Sequence, residues 1–377
     1  MGSGIAQVAA VAGHAVILQD VDEVAVARAR AGIEKTLNRE VEKGRLTAPA
    51  AESVTRRIHY AAGQDFGWFA SCGLIIEAIV ERLSAKRECF AALEQVVASD
   101  TILATNTSAL SVTSIAAACR TPERVLGLHF FNPAPVMPLV EIVRGHATSK
   151  PIVDGCCRLV SQWKKTAVIA TDTPGFIVNR IARPFYGEAL RILEEGIADC
   201  ATIDWAMRTF GEFRMGPFEL MDLIGNDVNF AVTTAVYEGF FFDPRYKPSL
   251  TQRRLVDANL LGRKTGQGYY DYRDGAARPQ PREDESLGRS ILDRILAMLV
   301  NEAVDAVFWR VATPADVDLA MVKGVNYPKG LIAWGEELGY EATLRKLEAL
   351  QTEYGEDRYR PSPLLRQLAR SGGTLRS

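Results

Sequence analysis

The hydrophobic pattern of the sequence changes once, near residue 173, and this change constrains the fold more than any other feature. Before it, short apolar runs alternate with amphipathic segments of helical period, and after it only helical periods remain. Strands that alternate with helices predict a mostly parallel sheet covered on both faces, whereas consecutive helices predict an all-α region. We therefore predict an α/β domain at 1–172, with its boundary at Thr173-Pro174-Gly175.

Local periodicity also predicts the individual elements of this first domain. Apolar runs predict strands at 15–18, 58–61, 74–80, 101–105, 125–131, 139–143 and 167–170. Amphipathic spacing predicts helices at 2–12, 23–42, 84–98, 112–119 and 150–164.

The helical region contains an internal repeat. Residues 187–225 resemble residues 301–339 at a constant offset of 114 without a gap, and Glu188 and Glu302 form the first identical pair. A constant offset favours two copies of one module, packed against each other, over two helical segments of similar composition. We expect the first module at 173–273, a polar, proline-rich linker at 274–288 and the second module at 289–377.

The N-terminal residues resemble the end of a dinucleotide-binding loop. In a Rossmann fold, a strand leads into G-x-G-x-x-G, whose glycines let the backbone approach the pyrophosphate at a helix N-terminus. Gly2 and Gly4 can serve such a helix, and Asp20 ends an apolar run where a carboxylate binds the ribose hydroxyls. This Asp favours NAD over NADP, because it would repel a 2′-phosphate. We expect a Rossmann-like domain whose first strand is missing, through truncation or a mis-assigned start, or else a damaged cofactor site.

A histidine and a glutamate form the candidate catalytic pair. His129 lies within the apolar run VLGLHFF, and Glu141 follows twelve residues later in the returning strand. Adjacent strands joined by a proline-containing turn can bring the two side chains within hydrogen-bonding distance. A carboxylate orients the imidazole of a general base, which takes the hydroxyl proton in an alcohol oxidation while hydride leaves the carbon. A core histidine bonded to its neighbour is the alternative.

Composition narrows the function classes. A net charge of −2 gives no basic surplus for nucleic-acid binding, and no apolar run is long enough to span a membrane. The six cysteines form no Cys-x-x-Cys pair, which is typical of reduced thiols in the cytoplasm. Four histidines give no basis for a multi-His metal site, so we expect no metal.

Eight segments together identify a family resemblance that covers nearly the whole chain. The chain resembles the L-3-hydroxyacyl-CoA dehydrogenase family in MGSGIAQ, LQD, EAIVE, TNTSAL, GLHFFNPAPVMPLVE, TPGFIVNR, GPFELMDLIG and GRKTGQGYYDY. The repeated module and the segment RYRPSPLLRQ are similar to bacterial members of the phenylacetate pathway, which act on 3-hydroxyadipyl-CoA.

The resemblance implies an NAD-dependent oxidation of an L-3-hydroxyacyl-CoA to the 3-oxoacyl-CoA, in fatty-acid or phenylacetate catabolism. It implies that His129 is the general base, that Glu141 is its partner and that Asn179 holds the histidine and the substrate. Ser108 would bond the 3-oxygen of the substrate. The cofactor site would comprise Gly2, Gly4, Asp20, Glu81, Lys86, Asn106, Asn132 and Lys264.

Substrate recognition beyond the reacting carbon stays open at this stage. The phosphates of coenzyme A need cations, and an exposed helix face explains the three candidates equally well: Lys35, Arg39 and Lys43. A carboxylate at the end of the acyl chain could pair with any of three other cations: Arg183, Arg214 and Lys323. Each of these could equally be a surface charge.

The family forms dimers through its helical region, so the resemblance implies a homodimer, part of whose contact the second module could replace. An unrelated two-domain binding module is disfavoured by the ordered set of motifs, and two alternatives of the same fold remain open. One is a dehydrogenase of the same fold that acts on a free hydroxy acid. The other is a catalytically impaired acyl-CoA-binding relative that lacks the complete dinucleotide loop.

Overall fold

The computed structural model describes residues 1–376. The chain divides into two compact units, an N-terminal unit, Met1–Asp172, and a C-terminal unit that begins at Thr173. The division falls where the hydrophobic pattern changes from alternating strands and helices to helices alone.

The N-terminal unit contains seven strands in two sheets. They are β1 (Val16–Asp20), β2 (Ile58–Ala62), β3 (Leu74–Glu77), β4 (Ile102–Thr105), β5 (Val125–Phe130), β6 (Leu139–Arg144) and β7 (Thr166–Thr171). β1 pairs with β2, and the other five form a sheet of order β3-β4-β5-β6-β7. All pairings are parallel except that of β5 with β6, which confirms the predicted mostly parallel sheet. Within residues 1–376, no strand joins β1 to β3, so the two sheets are separate.

Six helices accompany these strands. They are α1 (Gly2–Val11), α2 (Glu23–Glu42), α3 (Ala48–Arg56), α4 (Leu83–Glu94), α5 (Val112–Ala116) and α6 (Lys150–Gln162). The sequence analysis missed α3, a short helix that begins with Thr47 as its cap. It also extended β3 to residue 80. The strand stops at Glu77 because the carboxylate of that residue accepts a hydrogen bond from the Ile79 amide at 2.6 Å, which turns the chain.

The regular elements of the described C-terminal unit are all helices, as predicted, and isolated β-bridges join residues of the loop at 262–271. Its helices are α7 (Val178–Ile181), α8 (Arg183–Glu194), α9 (Cys200–Thr209), α10 (Pro217–Ile224), α11 (Asn226–Gly239), α12 (Leu250–Asp257), α13 (Glu285–Phe308), α14 (Pro314–Gly324), α15 (Leu331–Leu338), α16 (Tyr340–Tyr354) and α17 (Pro363–Ser371). Helix α13 is buried along most of its length and forms the centre of the unit.

The repeated residues perform the same structural task in both copies. Asp204 accepts hydrogen bonds from the first amides of α10, and Asp318 does so for α15, 114 residues later. An aspartate that accepts helix-terminal amides satisfies donors without an intrahelical partner and favours the positive end of the helix dipole. Gly216 and Gly330 precede these two helices, and a β-carbon at either position would overlap the aspartate. The repeat in the sequence therefore corresponds to a repeated arrangement of an aspartate, a glycine and a helix start.

Candidate active site

His129 and Glu141 lie directly opposite each other on β5 and β6. The imidazole Nδ1 is 2.6 Å from the Glu141 carboxylate, and both side chains are buried. A carboxylate at this nitrogen holds the ring in the tautomer that carries Nδ1–H and stabilises the imidazolium that forms when Nε2 takes a proton. The predicted hydrogen-bonded pair is therefore present, and its geometry suits a general base.

Asn106, at the end of β4, fixes the strand that carries His129. Its side-chain oxygen accepts a hydrogen bond from the Phe130 amide at 2.8 Å, one residue after the histidine. The backbone N–H of Asn106 donates a hydrogen bond to the Glu77 carbonyl at the end of β3. The three neighbouring strand ends are thus tied together at the edge where ligands bind in α/β sheets.

A buried lysine links two carboxylates, one at the end of β3 and one after it. Lys86 donates to Glu77 at 2.7 Å and pairs with Glu81 at 3.3 Å, while the second Glu77 oxygen accepts from Thr105 at 2.7 Å. Lys86 and Glu77 are almost completely buried. Separating the Lys86 ammonium from the Glu77 carboxylate would leave a buried charge uncompensated, which is costly. The pair therefore holds both side chains in place.

Glu81 holds the loop that carries Ser108. One carboxylate oxygen accepts from the Thr107 hydroxyl at 2.6 Å, the Ser108 amide at 2.9 Å and the Ala109 amide at 3.2 Å. Burial alone would raise the pKa of Glu81, but the Thr107 hydrogen bond and the Lys86 charge lower it below its ordinary value. Glu81 is therefore held as an anion that shapes this loop, and its contact with NAD stays a prediction.

The predicted NAD-binding residues of the N-terminal unit lie on several loops. Asp20 is exposed at the end of β1, where its carboxylate accepts from the Asp22 amide at 3.1 Å. Gly2 and Gly4 form the first turn of α1. A β-carbon at Gly4 would come within 3.1–3.2 Å of Pro135 and Ala134, in the turn after β5. Glycine therefore allows α1 to pack closely on the turn that begins near the exposed Asn132.

The predicted residues of the C-terminal unit lie in two places. Asn179 is in α7, where its carbonyl accepts a hydrogen bond from Arg183 Nε at 2.7 Å. Lys264 binds both oxygens of Asp227 at 2.5 and 2.7 Å, which ties its loop to the start of α11. The Asn179 role and the Lys264 contact with NAD stay predictions.

The sequence analysis missed three residues that support the site in the N-terminal unit. Lys165 donates to the carbonyls of Ala134 and Met137 at 2.6 and 2.7 Å and so holds the turn between His129 and Glu141. Asp172 accepts from the Thr113 amide at 2.7 Å and caps α5. The third residue is Thr107, whose hydroxyl donates a hydrogen bond to Glu81. A lone lysine before a strand, or a lone aspartate after one, carries no distinctive sequence signal, so these contacts were not predictable.

The other candidate cations differ in exposure. The three cations proposed for coenzyme A phosphates are exposed: Lys35 and Arg39 lie on α2, and Lys43 follows it directly. Arg214 and Lys323 are also exposed, whereas Arg183 is buried. Along residues 1–376, no helix is both long and apolar enough to cross a membrane.

Two family models match the chain. The 3-hydroxyacyl-CoA dehydrogenase NAD-binding domain matches residues 1–173. The C-terminal domain of the same family matches residues 175–272 and 291–376, which are two segments separated by the polar linker region.

Individual relatives agree with these matches. The chain is 41% identical to the 3-hydroxyadipyl-CoA dehydrogenase of Escherichia coli (strain K12), over 98% of this chain and 95% of that protein. It is 40% identical to the mitochondrial hydroxyacyl-coenzyme A dehydrogenase of Sus scrofa, over 72% of this chain and 88% of that protein. A crystal structure of 3-hydroxybutyryl-CoA dehydrogenase from Escherichia coli K12 superimposes with a TM-score of 0.92 at 40% identity, covering 99% of this chain and 97% of that one.

Proposed function

This chain belongs to the 3-hydroxyacyl-CoA dehydrogenase family, and we propose that it oxidises the 3-hydroxyl group of an L-3-hydroxyacyl-CoA to a ketone. NAD is the cofactor, and the enzyme is an oxidoreductase. The buried hydrogen bond of 2.6 Å between His129 and Glu141 carries the proposal, because it supplies an oriented base for the hydroxyl proton.

The proton transfer follows from this pair. His129 Nε2 takes the proton from the 3-hydroxyl, and the oxygen electrons form the carbonyl as hydride leaves C3. The imidazolium is then stabilised by the Glu141 carboxylate at Nδ1. Ser108 lies on the loop held by Glu81 and would donate to the developing carbonyl oxygen. The reverse reaction returns the proton from His129 to this oxygen.

The N-terminal unit has groups that fit NAD. When bound, NAD supplies a nicotinamide ring that accepts the hydride. The exposed Asp20 carboxylate at the end of β1 suits ribose hydroxyls, and the N-terminal amides of α1 suit a pyrophosphate. Glu81, Lys86, Asn106 and Asn132 complete the proposed cofactor site of this unit. That Lys264 contacts NAD is a separate proposal, which rests on the resemblance of GRKTGQG to the family.

We further propose the domain organisation 1–172, 173–273, 274–288 and 289–377, as an NAD-binding domain, a first module, a linker and a second module. The two separate matches to one C-terminal domain and the shared Asp204 and Asp318 caps support two modules. A homodimer of the whole chain and an acyl-CoA thioester substrate are also proposals, as is a cytoplasmic location. The names of the relatives support the thioester.

The test is NADH oxidation by the full chain, followed by absorbance, with 3-oxoacyl-CoA thioesters of several chain lengths. We expect turnover with thioesters, and a decrease in kcat of about 10²- to 10⁴-fold in His129→Asn. His146→Asn, at an exposed histidine of the same unit, is the matched control and should keep wild-type kcat. Turnover of free 3-oxo acids alone would indicate a hydroxy-acid dehydrogenase. Failure to bind NADH would indicate the non-catalytic alternative.

A further inference from the structure

The turn at 131–138, which joins β5 to β6, has carbonyl oxygens that its own backbone does not satisfy. Three of its residues are prolines, at positions 133, 135 and 138, and proline has no amide proton to donate. The amides of Val136 and Met137 both donate to the Pro133 carbonyl, at 2.9 and 3.0 Å. The carbonyls of residues 134, 135 and 137 therefore need donors from another part of the unit.

One lysine supplies these donors. Lys165 Nζ donates to the carbonyl oxygens of Ala134 at 2.6 Å and Met137 at 2.7 Å, and the Pro135 carbonyl lies 3.2 Å from the same nitrogen. An ammonium group has three protons, one for each of these carbonyls. Lys165 is half-buried, burial lowers its pKa, and no carboxylate within residues 1–376 pairs with it. The turn is thus the main environment of this cation.

The backbone of Lys165 is fixed on both sides. Its amide donates to the Val160 carbonyl in the last turn of α6 at 3.1 Å, and the next residue, Thr166, begins β7. Lys164 turns the chain between helix and strand with a φ of 57°. Few residues other than glycine adopt this left-handed conformation. The ammonium group therefore reaches the turn from a firm support.

The same turn determines how the proposed reacting pair is aligned. His129 and Glu141 are direct neighbours in the register of β5 and β6, and residues 131–138 are the only connection between these strands. In a hairpin the turn sets the register, and a slip of one residue moves a side chain to the opposite face of the sheet. Even a smaller shift of the turn would lengthen the 2.6 Å hydrogen bond between the two side chains.

Helix α1 packs against this turn as well. A β-carbon at Gly4, in the first turn of α1, would come within 3.1 Å of Pro135 and 3.2 Å of Ala134. The carbonyls of these two residues are among the three that contact Lys165. Because the N-terminal amides of α1 form the proposed pyrophosphate site, a movement of the turn would displace the cofactor as well as the base.

We propose that Lys165 is a positioning residue for the oxidation, which holds the turn at 131–138 so that His129 and helix α1 keep their relative placement. This inference rests on the proposed dehydrogenase function. Lys165 itself contacts neither the substrate nor the cofactor and acts through the three carbonyls. Misplacing a reacting group by about 1 Å can lower a rate by about 100-fold, so one distant ammonium group is sufficient for a large effect.

Substitutions at Lys165 test this role through NADH oxidation with a 3-oxoacyl-CoA. Lys165→Met keeps a side chain of similar length but removes the three donors. We expect kcat to fall about 10- to 100-fold and KM for NADH to rise about two- to fivefold. Lys165→Arg keeps a cation with several donors and should recover part of the loss in kcat. Lys164→Met removes the adjacent, exposed lysine and should keep wild-type values of both constants.

Chemical rescue separates positioning from folding. Lys165→Ala lacks the part of the side chain beyond the β-carbon, which corresponds to propylammonium, so this ion can occupy the space beside the three carbonyls. We expect added propylammonium to raise kcat of this variant by about tenfold in a saturable manner. Tetramethylammonium, a cation without N–H donors, should leave kcat unchanged at the same ionic strength. Neither ion should affect the wild-type chain.

A spectroscopic measurement examines the reacting pair without turnover. The short hydrogen bond between His129 Nδ1 and Glu141 should give a downfield proton resonance in the NMR spectrum of the full chain, and His129→Asn identifies it by its loss. We expect this resonance to shift or disappear in Lys165→Met and to stay at its wild-type position in Lys164→Met. If Lys165→Met does not fold, Lys165→Arg replaces it in both measurements.

Three outcomes would overturn the proposal. A lower thermal midpoint of Lys165→Met with unchanged kcat would make Lys165 a stabilising residue only. Equal rescue by the two cations would show that charge, and not hydrogen bonding to the turn, is what the reaction requires. An unchanged histidine resonance would show that the reacting pair keeps its geometry without the lysine. If the wild-type chain turns over no thioester, the proposed function itself fails, whereas the resonance still reports what Lys165 does to the pair.

Discussion

Glu302→Gln tests the buried ion pairs that join the two modules. In the wild-type protein, Glu302 accepts from Arg180 Nε at 2.6 Å and Tyr246 at 2.5 Å, and it pairs with Arg245 at 3.4 Å. The side chains of Arg180 and Glu302 are each 1% exposed. The substitution removes the charge at constant shape and leaves two buried guanidinium groups with Asp305 as their remaining shared carboxylate.

The expected loss of folding stability in Glu302→Gln follows from the burial of the ion pair. Breaking a buried pair by removing one charge costs about 3–5 kcal/mol, because the other charge stays desolvated. At about 2–4 °C per kcal/mol for a unit of this size, the thermal midpoint of the C-terminal unit should fall by about 6–20 °C. Differential scanning calorimetry of both proteins measures this fall. Glu285→Gln in the same helix is the control, because its pair with Arg289 is exposed and contributes at most about 0.5 kcal/mol.

The pH dependence of folding stability gives a second, independent measure of the Glu302 ion pairs. Burial alone would raise the pKa of Glu302, but the charges of Arg180 and Arg245 lower it below its ordinary value of 4.5. A carboxyl with a lowered pKa stabilises the folded state above its unfolded pKa, and this contribution is lost as the pH falls through the folded value. The difference between wild type and variant should therefore be full at neutral pH and shrink in acid. Equal midpoints at pH 7, or a difference that does not depend on pH, would refute the reasoning.

Two further substitutions address the base and the repeat. Glu141→Gln should lower kcat by about 10²- to 10⁴-fold, because the Glu141 carboxylate contacts His129 Nδ1 and stabilises the imidazolium. KM for NADH should stay near the wild-type value. Steady-state kinetics in which kcat stays within twofold of wild type would contradict this role. Gly216→Ala should lower the urea midpoint clearly, because its β-carbon would overlap Asp204. Gly187→Ala, within α8, should instead raise stability by about 0.5–1 kcal/mol, and equal effects of the two would disprove the steric explanation.

Much of the fold and part of the site were predictable because they depend on short-range patterns. Alternating apolar runs predicted the parallel sheet, and the spacing of His129 and Glu141 around a turn placed the two residues on adjacent strands, where they are direct neighbours. The constant offset of the repeat predicted two helical modules, and Asp204 and Asp318 show its structural basis. The spacing of apolar residues shows which face of a strand or helix is buried. It is therefore sufficient to predict where the strands and helices lie.

Only the tertiary structure decided which distant polar residues meet. Arg180 and Glu302 are 122 residues apart, yet they form one buried ion pair. Arg183 was one of three equivalent candidate cations in the sequence, and burial separates it from the exposed Arg214 and Lys323. A charged side chain read alone is most often a surface group, because its local sequence contains no information about its partner. The sequence by itself determined the elements and the reacting pair, whereas the packing of the two modules determined which charges are buried.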